Sequence, residues 1–314
     1  MNRFAFIFKR LLFTIPLLAG IVFVVFSLLQ VTPGDPARQI IGLRATEAEL
    51  AETRADLGLD DSVPEQYVRY LNRVVQGDLG YSYKTRQPVS ELIGERLEVT
   101  AGLLGLAALT TVAFAVPLAV LSARRRNGLI DHVVRFTGTV GLAMPPFWIG
   151  VMLLLVVALP TGWLPVGGYG DTPIDKLRSL VLPALTLAIG MTPVMVRSLR
   201  STIGEVLGSE QVMTARSLGL SEGRILRKFV LRNASAPSVT ILALELGYLL
   251  FGAVVVETTF ALPGLGQGLV LAARQRDFAA VQGYTLVFAL AVVVVFLVAD
   301  VVTAALDPRV RIST

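Results

Sequence analysis

The sequence predicts an all-α polytopic membrane protein with six transmembrane helices. Three observations carry this. The 314 residues are 54% hydrophobic and 16% charged, where soluble domains hold roughly 25% charged residues. Polar segments alternate with apolar runs of about twenty residues, the length that crosses the bilayer core. Basic residues also gather in alternate loops, the pattern of a positive cytoplasmic side.

Composition excludes several chemistries. Without cysteine there is no disulfide, thiolate metal site or cysteine nucleophile. The single histidine, His132, stands beside Asp131, where a surface hydrogen bond is its expected role, and no His-Glu-x-x-His motif occurs, so intramembrane hydrolysis is poorly served. No Gly-x-x-x-x-Gly-Lys-Ser/Thr phosphate loop is present, so any ATP would be handled by another chain. The net charge of +5 fits inward-facing loops better than nucleic-acid binding.

In chain order, Met1–Arg10 is short and basic. Leu11–Val31 is the first span, uncleaved, because Thr32-Pro33-Gly34-Asp35-Pro36 follows where a signal peptide would show Ala-x-Ala. Residues 32–98 form a soluble helical insertion with twelve acidic and eight basic residues. Thr46 and Glu49 spell a capping box, and Gly58 ends that helix. Pro64 suits a first helical turn, after which Val63, Tyr67, Leu71 and Val74 line one face as far as Gly77.

Val99–Leu121 is the second span, rich in small residues that permit close helix approach, and it ends at the anchor Arg124-Arg125-Arg126. Val133–Leu159 is the third, kinked at Met144-Pro145-Pro146-Phe147. Trp163 and Tyr169 are interface anchors in the external loop Pro160–Ser179. Leu180–Val196, Pro237–Val256 and Gly283–Leu306 complete the set. Residues 1–31 thus hold the N-terminus and first span, and 99–314 the remaining core with a cytoplasmic loop at 201–235. The inside segments hold sixteen basic residues against the acids Asp131, Glu205, Glu210, Glu222 and Asp307. Orientation is therefore N-in, C-in, and the 32–98 insertion, with acids in excess, is extracytoplasmic.

The loop's central stretch, Glu210–Asn233, reads as two short helices. The first runs from about Glu210 to Leu218, with Val212, Met213 and Ala215 on its apolar side. Gly219 supplies the left-handed break. Ser221 then N-caps the second helix, with Leu220 and Ile225 as a hydrophobic staple. Leu226 with Val230, and Ile225 with Phe229, form its apolar side.

A helix–Gly–helix elbow between spans resembles the cytoplasmic coupling loop of importer-type ABC permeases. Met213-Thr214-Ala215-Arg216-Ser217-Leu218-Gly219 aligns with that family's Glu-Ala-Ala-x-x-x-Gly, with Met213 and Thr214 replacing its Glu and first Ala. Together with Leu220-Ser221 and Leu231-Arg232-Asn233, it is closest to the peptide (dipeptide/oligopeptide) branch. Glu257-x-x-Phe260-x-x-Pro263-Gly264-Leu265-Gly266 with the later Asp277, Gly77-Asp78-Leu79-Gly80-Tyr81-Ser82, Gly34-Asp35-Pro36 and the ending Asp307-Pro308-Arg309 extend the likeness along nearly the whole chain.

The resemblance implies a non-catalytic permease subunit forming half of a peptide path across a bacterial inner membrane. Its implied partners are a second homologous permease, two ATPase subunits that bind the ATP and Mg, an extracytoplasmic binding protein, and lipid. No cofactor is expected in this chain, and no nucleic acid. ATPase contact falls to Glu210, Thr214, Ala215, Arg216, Gly219, Leu220, Ser221 and Arg224. Path or gate residues are Met144, Pro145, Phe147, Glu245, Glu257 and Asp300, and binding-protein-facing residues are Asp78, Tyr81, Tyr83 and Asp277. The family also includes importers of haem, nickel chelates and some sugars, selection resting largely with the binding protein. The other class of reading, an ion-coupled secondary transporter, would use Glu245 and Asp300, the acids well inside spans, but leaves the elbow unexplained and lacks paired broken helices.

Overall fold

The computed structural model describes residues 3–31, 36–42 and 45–306. Gly34-Asp35 and the Asp307-Pro308-Arg309 ending lie outside them. The chain runs α1 (Arg3–Val31), α2 (Pro36–Ile41), α3 (Glu47–Leu57) and α4 (Val63–Val75), then an antiparallel ladder of β1 (Tyr81–Ser82) with β2 (Gln87–Pro88). Next come α5 (Val89–Arg124), α6 (Leu129–Ala143), α7 (Pro146–Leu153), a π-turn at Leu154–Ala158 and α8 (Leu159–Thr161). They are followed by α9 (Pro173–Leu207), α10 (Glu210–Ser217), α11 (Glu222–Ile225) and a second π-turn, Leu226–Val230. The last helices are α12 (Leu231–Thr259), α13 (Leu265–Gln275) and α14 (Phe278–Leu306).

By length and composition, four described helices can cross a membrane: Val89–Arg124, Pro173–Leu207, Ser238–Thr259 and Phe278–Thr303. A fifth is the broken pair Leu129–Ala143 and Pro146–Thr161, and α1 contributes the shorter apolar stretch Thr14–Ser27. The break is a corner of 104° rather than the kink expected. Proline pushes the preceding residue out of helical space, and here two prolines follow one another. Met144 (ψ 129°) and Pro145 (ψ 140°) are therefore both extended, so the helix stops and restarts.

The residues form two compact units. One comprises Met1–Glu98 with Gly264–Val293. Here the Thr46–Glu49 capping box forms as predicted: Thr46 N donates to Glu49 Oε2 (2.7 Å), and Glu49 N to Thr46 Oγ1 (3.3 Å). Gly58 takes the left-handed cap, φ 63°. Tyr67, Leu71 and Val74 pack on Val22 and Phe26 of α1, and the Tyr67 hydroxyl donates to Ala19 O at 2.9 Å. Val63 is exposed, contrary to expectation, because the buried stripe runs through 67, 70, 71 and 74 with Tyr70 at its centre.

The other unit comprises Val99–Pro263 with Val294–Thr314. Of the small residues expected to draw the second span to its neighbours, Gly102 does so, a Cβ there standing 3.1 Å from Leu180, whereas one on Gly105 would meet no atom within 4 Å; on α6, a Cβ on Gly138 would stand 3.1 Å from Pro193. α5 and α9 have 36 and 35 residues. At ~1.5 Å per residue each is over ~50 Å long, well beyond a ~30 Å hydrocarbon core.

Candidate functional site

The elbow is built as the sequence predicts, with a sharper definition of each arm. α10 ends in a Schellman motif: Gly219 N donates to Arg216 O (2.9 Å) and Leu220 N to Ala215 O (3.1 Å), with Gly219 at φ 75°. Ser221 occupies the N-cap position (ψ 146°), but its side chain makes no capping bond. The bend is held otherwise. Arg216 donates through Nε to Glu222 Oε1 (2.8 Å) and through Nη2 to Glu222 Oε2 (3.2 Å), clipping one arm to the other. Arg216, expected to face a partner, is thus engaged within the elbow.

That clip is solvent-exposed. The guanidinium bonds hold the Glu222 carboxyl below its usual value, and Glu222 holds Arg216 above its own. A depressed carboxylate stabilises above the ordinary glutamate range and loses its effect as pH falls through the lowered value, so the clip is complete at neutral pH. Glu222→Gln removes it, and the expected result is a modestly looser bend, with about threefold faster hydrogen exchange at the Gly219 amide at low salt, for an exposed ion pair. At about 1 M salt, where screening acts within ~3 Å, wild type and variant should converge. Equal rates at low salt would show that the clip is idle.

The elbow is anchored from inside. Val212, Ala215, Ile225 and Val230 are buried in one cluster with Leu199 and Ile203 of α9 and Ala119 and Ala123 of α5, and Leu220 packs against the same cluster. Burying each large aliphatic side chain is worth roughly 1.5–3 kcal/mol. Two expectations are corrected. Ala215 faces this core rather than a docking surface, and Met213 is 66% exposed rather than inward. Met213 and Leu218 (75% exposed) are apolar side chains turned outward, and Glu210, Thr214 and Arg224 are also exposed. Beyond Ile225 the backbone stays helical through the π-turn into α12: Leu226 and Leu231 have φ −56° and −65°. The second arm and the fifth predicted span are therefore one continuous rod.

Asp131 is not a loop residue but the buried hub of three helices. Its carboxylate accepts from Ser122 Oγ of α5, from Asn127 N (3.0 Å), and from Arg200 Nε and Nη2 of α9 (both 2.7 Å). His132 makes the expected surface bond, to Gly128 O at 2.9 Å. Sequence reasoning passed over Arg200 as one more inward-side charge, and the 69-residue separation from Asp131 gave no signal.

The remaining candidates separate into surface and interior. Pro145 and Phe147 are exposed at the corner, while Met144, Glu245 and Asp300 are half-buried. Glu257, expected on the path, is fully buried and accepts from Thr100 Oγ1 at 2.6 Å, which ties α12 to α5. Asp78, Tyr81 and Tyr83 are exposed, and the tyrosine rings meet edge to face at 5.2 Å. Asp277, expected to face a partner, is buried instead. It accepts from Ser82 Oγ and, as N-cap of α14, from Ala280 N (3.2 Å), so it joins the β1 strand to a helix start.

Residues 115–312 match the family model described as binding-protein-dependent transport system inner membrane component, and residues 3–104 match that system's N-terminal membrane-component model. The chain is 37% identical over 313 residues to the oligopeptide transport system permease protein AppB of Bacillus subtilis (strain 168), covering 98% of this chain and 99% of that one. It is 35% identical over 333 residues to the dipeptide transport system permease protein DppB of Escherichia coli (strain K12), covering 98% of each. Its fold resembles a chain of the inward-facing MetNI methionine ABC transporter, with a TM-score of 0.56, 18% identity, and coverage of 69% of this chain and 96% of that one.

Proposed function

Because this chain belongs to the binding-protein-dependent transport system inner membrane component family, we propose that it forms half of the path by which an ATP-driven importer takes up di- and oligopeptides. It is a permease subunit of the peptide class. We place six spans, with both ends inside, in a bacterial cytoplasmic membrane. Beside it stand a second permease of similar size, two ATPase subunits holding ATP and Mg, and an extracytoplasmic binding protein.

The observation that supports this mechanism best is the unbroken helix from the elbow into α12. A partner gripping Met213, Leu218, Thr214, Arg224 and Glu210 from the cytoplasm moves a rigid body, since the elbow's inner face is locked into the core. Displacement of the second arm then passes directly into the α12 span. On the outer side, Asp78, Tyr81 and Tyr83 offer exposed groups to a binding protein.

The test is uptake of a labelled tripeptide into proteoliposomes holding the full complex with binding protein outside. The expected result is uptake that needs internal ATP and is indifferent to a proton uncoupler. Uptake that persists without ATPase subunits and collapses with the uncoupler would instead establish an ion-coupled carrier using Glu245 and Asp300.

A further inference from the structure

Within the second unit, α5, α6 and α9 line a half-open cavity of about 530 Å³. Its walls are chiefly apolar, with Phe114 and Leu118 from α5, Gly141 from α6, and Ile189 and Pro193 from α9. The hydroxyls of Thr137 and Thr139 in the α6 wall donate to their own helix, at Val133 O and Arg135 O (both 2.9 Å). Apart from Thr192 in the α9 wall, the remaining polar chemistry lies with Arg135, Arg197 and Arg200, of which Arg135 and Arg200 meet at Asp131. Arg200 is committed to Asp131 by two bonds, and Arg135 Nε lies 3.8 Å from the same carboxylate. Arg200 and Arg135 share that one carboxylate, and Arg197 lines the same end, so three guanidiniums stand against one acid with a surplus of two positive charges.

An occupant matching this cavity has an apolar body and an anionic head at the arginine end. With the orientation proposed above, that end lies at the cytoplasmic interface, the level of Arg124-Arg125-Arg126. Basic pockets between spans on that side suit anionic headgroups. We propose that the cavity binds an anionic phospholipid of the cytoplasmic leaflet, one acyl chain between α6 and α9 and the phosphate on Arg135 and Arg197. The assignment rests on the proposed sidedness but not on the peptide substrate. Arg135 and Arg197 lie outside the elbow, so the lipid test and the uptake test fail separately.

The test uses the assembled complex, delipidated and exchanged with vesicles of phosphatidylglycerol and phosphatidylcholine in equal parts, then read by native mass spectrometry. The expected result is retained phosphatidylglycerol with about tenfold preference over phosphatidylcholine. Arg135→Gln/Arg197→Gln should abolish the preference. Thr192→Phe, which fills the cavity without touching charge, should lower retention of both lipids. Equal retention of the two lipids by the wild type overturns the proposal, as does undiminished preference in the double variant. Because the chain has no cysteine, Thr139→Cys offers a single cross-linking site. A cross-link there to the second permease in place of lipid would likewise refute it. Should the double variant fail to assemble, the wild-type preference and Thr192→Phe decide the matter.

Discussion

Gly219→Val is expected to leave the complex assembled and ATP hydrolysis running while peptide uptake collapses. The reason is backbone, not space. A Cβ at Gly219 would meet no atom within 4 Å, but the residue sits at φ +75°. An L-residue there pays about 1–2 kcal/mol, and a β-branched one fares worst. That shifts the population of the correctly bent elbow by a factor of roughly 5–30. Both Schellman bonds, from Gly219 N and Leu220 N, depend on the same conformation. Gly219→Asn supplies the control, because Asn tolerates the left-handed region, and it should keep most of the uptake. Normal transport in an assembled Val variant would remove the elbow from the coupling mechanism.

Arg200→Gln should cost more in stability than either Gly219→Val or Glu222→Gln. Asp131 is wholly buried, and the Arg200 side chain is 20% exposed, so the carboxylate would keep Ser122, the Asn127 amide and only the long 3.8 Å contact with Arg135. Breaking a buried pair from one side costs about 3–5 kcal/mol. For three helices joined at one point, the expected outcome is loss of purified complex and a sharply lower melting temperature. Asp131→Asn/Arg200→Gln removes the charge as well as its partner and should recover most of the loss. A single variant as stable as wild type would show the pair to be dispensable. A double variant no better than the single would show that Arg200 acts through packing alone.

Much of this was legible from the residues. The elbow's break at Gly219, the Ser221 N-cap position, the Thr46–Glu49 box and the discontinuity at Pro145-Pro146 are local events, set by backbone preference within a few residues. Met213 shows the limit of local reading. An apolar side chain in a short helix with apolar residues on more than one side does not reveal which side the core will take, and here Val212 and Ala215 took it. Ala215 illustrates the converse: a motif position expected to meet a partner serves the chain's own packing.

The amino-acid sequence alone determined where the long apolar helices lie and where the chain must bend, because run length, charge and the special conformations of glycine and proline act over short distances. Only the tertiary structure decided which polar groups are consumed inside. Asp131 meets Arg200 across 69 residues, Glu257 meets Thr100 across 157, and Asp277 meets Ser82 across 195. A carboxylate awaiting a partner on a helix or strand and one turned outward look alike in a single chain. The difference is made when packing excludes water and an unpaired charge becomes too costly to keep.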